Sequence, residues 1–180
     1  MNKKLSSFLS VCVVFALGCV SDHYESAGEV KAMKVEFSGG RWNGKTIPKG
    51  QQCRRYGGKG NTPPLTVIGV PKAANAIIVE YNDLSYSKLS SNGGHGKIGY
   101  WIEGDERVNI PAIRGETKAL TGKSFLEANN RSGIADGYLP PCSGGRGNTY
   151  EAVVKAVYKP TDSEEKGKLL GMGRIILGKY

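Results

Sequence analysis

Two stretches, GGKGNTPPL at residues 57–65 and GYLPPCSGGRGNTY at residues 137–150, decide how this chain is read. In each, prolines fix φ and remove amide donors while glycines admit left-handed backbone, so both read as loops with a determined path. Each runs directly into a β-like segment. LTVIGV (65–70) follows the first and YEAVVKAVY (150–158) the second, with Ala152, Val154, Ala156 and Tyr158 on one face at period two. Paired loops carried on strands are where binding residues usually gather.

Further strands are expected on either side of these loops. NAIIVEYND (75–83) contains an unbroken apolar run from Ala76 to Val79, the pattern of a strand buried on both faces. A first strand is expected over 30–37, and others over KIGYWIE (97–103) and 168–180, with a polar loop over 85–94. Residues 104–128 mix short strand and turn signals with at most one helical turn. Glycine, at 26 of 180 residues, is about twice its usual share, which favours turns over long helices. The expected fold class is all-β, an antiparallel sandwich with little helix, formed by one domain over 30–180.

Residues 1–19 read as an export signal. Lys3 and Lys4 precede a mostly apolar stretch over 5–17, too short for a comfortable transmembrane span. Ala16, Leu17, Gly18 and Cys19 resemble a bacterial lipobox, which makes Cys19 the lipidation site; the alternative is secretion with cleavage elsewhere, for instance after Ala27. Residues 20–29 then read as a polar tether. The expected location is the bacterial cell envelope, lipid-anchored to a membrane, or else a soluble secreted or periplasmic form. Cys12 leaves with the signal, so Cys53 and Cys142 remain, and in an oxidising compartment they are expected to bridge and clamp the two opening loops together. The competing reading is a reactive thiol near His95.

Twenty-five Lys and Arg stand against 16 Asp and Glu, a net +9 that would suit an anionic membrane surface or a phosphate-bearing ligand. The cations come in ones and twos, such as Arg54 with Arg55, and so read as a solvated basic surface. No nucleic-acid motif accompanies them, and no nucleic-acid partner is expected. With two histidines, no HExxH, no GxSxG and no complete P-loop or dinucleotide fingerprint, neither a metal nor a cofactor nor an enzyme activity is expected.

The order IPKGQQCRRYGGKGNTPPL (47–65), VEYND (79–83), His95, GYLPPCSGGRGNTY (137–150) and GRIILGKY (173–180) resembles the phosphatidylethanolamine-binding proteins, in their bacterial Raf-kinase-inhibitor-like branch. The resemblance implies a β-sandwich with a small surface pocket for phosphate-like anions and phospholipid headgroups. Family members bind, and some inhibit kinases or proteases. The implied pocket residues here are Asp83, His95, Asn148 and Tyr150, with Tyr81 beside them. Departures are specific: the family's Asp-Pro-Asp-x-Pro is Tyr81, Asn82, Asp83, Leu84, Ser85, and its His-Arg-Tyr is Asn148, Thr149, Tyr150. One imidazole therefore remains, backed by neutral donors that are roughly half as strong as charge-assisted ones. Two expectations follow: a binding module for a small anion or headgroup, or a protein-interaction module whose pocket is vestigial.

Overall fold

The computed structural model describes residues 24–127, 137–161 and 166–180. Among these residues nine strands form two sheets. The larger has six strands in the order β1 (Tyr24–Ala32), β9 (Gly167–Lys179), β8 (Thr149–Tyr158), β4 (Ala76–Asp83), β5 (Lys97–Trp101) and β7 (Ser124–Leu126). The smaller has three: β2 (Lys34–Phe37), β3 (Leu65–Ile68) and β6 (Arg107–Ile110). Among the described residues, helix is confined to single 3-10 turns at Arg54–Tyr56 and Ser87–Leu89. No helix among the described residues is long and apolar enough to cross a membrane.

Alternation along β4 explains the layering. Ile77, Val79 and Tyr81 point inward, where they meet Leu65, Val67, Val108 and Ile110 of the small sheet and Ala152, Val154 and Ala156 of β8. Ala76 and Ile78 point outward into a second, smaller apolar cluster with Val157 and Tyr24. Both faces of β4 are thus buried, as its unbroken apolar run requires. Farther along the outward face the side chains become charged. Glu80 accepts from Lys97 Nζ and Lys155 Nζ, each at 3.0 Å, so a buried carboxylate holds two buried ammonium groups.

Two expectations need correction. The strand expected over 30–37 divides at Met33, which is buried and hands the chain from β1 in the large sheet to β2 in the small one. The polar stretch read as a tether belongs, from Tyr24 onward, to β1, which pairs in parallel with β9 through Tyr24↔Gly167 and Ser26↔Leu169. An edge strand in that position needs backbone partners more than apolar side chains, so its composition concealed it. Of the period-two series Ala152, Val154, Ala156 and Tyr158, the first three are buried and Tyr158 lies exposed where β8 leaves the sandwich. The signal and lipobox, including Cys19, lie outside the described residues.

Candidate functional site

One end of the large sheet is built to display side chains. β4 ends at Asp83, which pairs with Tyr150 at the start of β8, and Thr149 in turn pairs with Lys179 at the end of β9. The loops after β4 and before β8 close over this end. Cys53 and Cys142 are bonded, with Cα atoms 5.3 Å apart, and Cys53 N–H donates to Pro141 O at 3.0 Å, so the two opening loops are pinned as expected. Between the loop after β4 and the loop before β8 lies a cavity of about 490 Å³ lined by Asp83, His95, Ser143, Arg146 and Asn148, with Tyr86 among the rest of its wall.

Polar groups in the cavity constrain one another. Asp83 Oδ1 accepts the Ser85 amide at 3.0 Å, and Oδ2 accepts Asn148 Nδ2 at 2.7 Å. His95 Nδ1 lies 2.9 Å from Leu139 O, a carbonyl that can only accept, so Nδ1 carries the proton in the neutral ring. Nε2 then faces Asp83 Oδ2 at 4.0 Å, an acceptor opposite an acceptor. Burial holds the imidazole below its ordinary value, against the raising effects of Leu139 O and the Asp83 carboxylate. Two acceptors at that separation favour a guest that brings a hydrogen-bond donor, or a proton on Nε2.

The expected site residues divide. Asp83, His95 and Asn148 line the cavity. Tyr150 stands behind the imidazole, its ring edge-on at 5.2 Å between centroids, with its hydroxyl accepting Cys142 N–H at 3.2 Å; burial raises its phenol. Tyr81 is not a wall of the cavity. It is fully buried, stacks at a tilt on Tyr138 4.5 Å away, and burial pushes its phenol well up. The physical reason is depth: Tyr81 shares the inward face with Asp83, but two residues, or about 6.6 Å, farther into the sandwich. Arg146 was missed by the sequence reading. Its signal was a cation set between Gly145 and Gly147, at φ +78° and +80°, in a loop where it has no partner among the described residues.

Charge is distributed unevenly between the two ends. At the far end, Lys72 pairs with Glu106, Lys123 with Glu103 and Lys166 with Glu25. At the cavity end, exposed Lys49, Arg55, Lys59, Arg146 and Lys179 have no carboxylate partner among the described residues, while Arg54 is tied to Glu116. Residues scattered in sequence are gathered because the loop over 43–61 is joined to β9 by Ile47 N–H to Lys179 O and to the 137–148 loop by the disulfide. A second cleft, of about 250 Å³, is lined by Trp42 and Gln51 with Arg41 as its one charged group. It lacks the convergent ionisable groups that make the Asp83 cavity the candidate.

No protein-family model matches the chain, and no curated protein does. Among solved structures, the crystal structure of a phosphatidylethanolamine-binding protein homologue from Chlamydia trachomatis superposes with a TM-score of 0.54. The match covers 83% of this chain and 97% of that one, at 19% sequence identity. This chain therefore has the all-β sandwich fold of that phosphatidylethanolamine-binding protein homologue.

Proposed function

We propose that the protein is an exported, membrane-tethered binding protein that takes a small phosphate-bearing ligand, such as a phosphoethanolamine group, into the Asp83–His95–Arg146 cavity. The observation that carries this reading is the pairing of a buried carboxylate facing an unprotonated Nε2 with a guanidinium at the rim that has no partner among the described residues. A bare dianion would meet the Asp83 charge. A ligand that offers an ammonium or hydroxyl donor to Asp83 and a phosphate to Arg146 satisfies both ends.

The placement of β1 bears on the tether. Tyr24 pairs with Gly167, at the end of β9 opposite Lys179 and the cavity. Five residues, the distance from Cys19 to Tyr24, reach at most about 18 Å, whereas the 13 residues of β9 run roughly 43 Å. A lipid at Cys19 would hold the domain by its far end, with the cavity turned away from that bilayer. This favours a free phosphorylated compound, or a headgroup on another surface, over a headgroup of the anchoring membrane. Cleavage after Ala27 would instead remove residues 24–27 of β1 and its first contacts with β9.

The test is a titration of phosphoethanolamine and of inorganic phosphate into isotope-labelled protein. Shifts confined to His95, Asn148 and Arg146, stronger for phosphoethanolamine, are expected. Spectra unchanged at millimolar ligand would sink the binding reading. The interaction-module reading is supported by Tyr86, 47% exposed in the wall of the cavity, and by Leu84, 42% exposed on the outer face near Asn82; unchanged spectra with both ligands would turn attention to them. Processing that is insensitive to globomycin would exclude the lipid anchor.

A further inference from the structure

The loop that carries His95 is held from the opposite side of the sheet. Asn82 lies between Tyr81 and Asp83 on β4, so its side chain points to the outer face, away from the cavity. It is buried, and its Oδ1 accepts two successive amides, Gly93 N–H at 3.0 Å and Gly94 N–H at 3.2 Å. Its Nδ2 donates to Glu151 Oε1 at 3.3 Å, which fixes which way the carboxamide faces. The turn it grips is left-handed at Asn92 (φ 54°) and Gly93 (φ 67°), and Lys97 Nζ binds Asn92 Oδ1 while also holding Glu80. One residue later the backbone passes to the inner face: His95 N–H donates to Tyr81 O at 2.8 Å and Leu139 N–H to His95 O at 2.8 Å.

We propose that Asn82 is the positioning residue for His95, setting the imidazole against Asp83 by clamping the preceding turn from behind the sheet. A proline at this position, as in the Asp-Pro-Asp-x-Pro pattern the sequence departs from, has no side-chain acceptor and could not do this. Backbone bonds at Tyr81 and Leu139 hold His95 from its own residue onward, and Gly96 N–H to Gly93 O at 2.8 Å closes the preceding turn only on itself. The Asn82 oxygen fixes the two residues before it, and so removes the freedom of the 92–94 turn to swing the ring out into solvent. The proposal rests on the reading of His95 as a ligand-contacting group, but its test is made without ligand, so the two can fail separately.

The experiment follows two signals in ligand-free protein: hydrogen exchange at the Gly93 and Gly94 amides, and the NMR titration of the His95 imidazole, which faces Asp83 and Tyr150 with Arg146 and Tyr86 also lining the cavity. In Asn82→Ala, exchange at both glycines should rise about tenfold or more, the loss expected for one net hydrogen bond, and the His95 midpoint should move up toward its ordinary value as the ring gains solvent. Val153→Ala, on the same outer face, should lower stability without moving the midpoint. The double variant Asn82→Asp with Glu151→Gln exchanges donor for acceptor across the same contact, and should restore both signals. Should Asn82→Ala fail to fold, Glu151→Ala frees the carboxamide and reads the same signals. The proposal is overturned if the midpoint and the two exchange rates stay at their wild-type values, or if Val153→Ala moves the midpoint equally. Changed signals in a protein that binds no phosphoethanolamine would leave Asn82 as the clamp and remove only the ligand.

Discussion

Removing the Cys53–Cys142 bridge tests whether the two loops are held mainly by a covalent constraint or by the fold around them. The half-cystines are 89 residues apart in sequence, so the bridge closes most of the domain into one loop. For a loop of about 90 residues, the chain-entropy model gives a loss of about 15 cal/mol/K from the unfolded ensemble, or about 4.6 kcal/mol at 25 °C. That is about 30% or more of the roughly 5–15 kcal/mol that holds a typical domain. The native side should change less. Cys53 N–H to Pro141 O, together with the Tyr56 and Gly58 amides on Cys53 O, keeps the loops in register. The small space left at buried Cys53 adds about 1 kcal/mol at most. Urea unfolding of the Cys53→Ala, Cys142→Ala double variant, read through buried Trp42, should therefore show a loss of about 4–5 kcal/mol with a larger m, because the uncrosslinked unfolded chain exposes more surface. With an unfolding entropy of about 2.1 cal/mol/K per residue over about 150 residues, the melting temperature should fall by roughly 14 °C. A loss under about 1.5 kcal/mol with an unchanged m would refute the argument.

Burial depresses the His95 pKa, so the unfolded chain binds a proton that the native state refuses. Stability present above pH 6.5 should fall on acidification, with a slope of at most about 1.4 kcal/mol per pH unit from this group, and the slope should flatten in His95→Gln; equal slopes in urea melts of the two proteins would contradict it. Gly96→Ala places a Cβ 1.9 Å from Gly137 O at φ +106°, a backbone clash that should cost about 3 kcal/mol or more, whereas Gly122→Ala, at φ +65° in open space, should cost about 1 kcal/mol. Similar midpoints for the two variants would show that the 137 loop yields. Arg146→Gln should leave stability within about 0.5 kcal/mol while weakening phosphoethanolamine about tenfold; an unchanged titration would remove Arg146 from the site.

The parts legible in the sequence were those where chemistry repeats along the chain. β4 declared itself by its apolar run, β8 by its alternation after a fixed loop, and the disulfide by the removal of Cys12 and Cys19 from the count. What stayed hidden depends on distance across the chain. β1 (Tyr24–Ala32) is polar and is a strand because β9 offers it a backbone edge. Tyr81 and Asp83 share a face and differ only in depth, which periodicity does not encode. Asn82 was visible as a departure from a family pattern, but the two glycine amides that donate to it stand 11 and 12 residues away and are brought to it by the return of the chain. The gathering of Lys49, Arg55, Lys59, Arg146 and Lys179 likewise arises from loop closure, so a scattered charge pattern gave no sign of a polarised surface.

His95 should couple proton and ligand in a way that separates candidate ligands. Because Nδ1–H is committed to Leu139 O, the ring can take up a proton only at Nε2, which points at Asp83 4.0 Å away. A phosphate entering beside Arg146 adds negative charge near a ring that burial keeps neutral, and so raises its pKa; by linkage, the proton must strengthen phosphate binding to the same extent. The apoprotein should therefore lose stability as pH falls while its affinity for inorganic phosphate rises, two opposite trends from one imidazole. Phosphoethanolamine can place its own ammonium against Asp83, which replaces the donor that a protonated Nε2 would supply. Its affinity should depend less on pH than that of phosphate. The measure is the part of each slope that His95→Gln abolishes, since this removes the ligand's own titration. Equal His95-dependent slopes for the two ligands would mean that the ammonium does not reach Asp83, and that the cavity reads the phosphate alone.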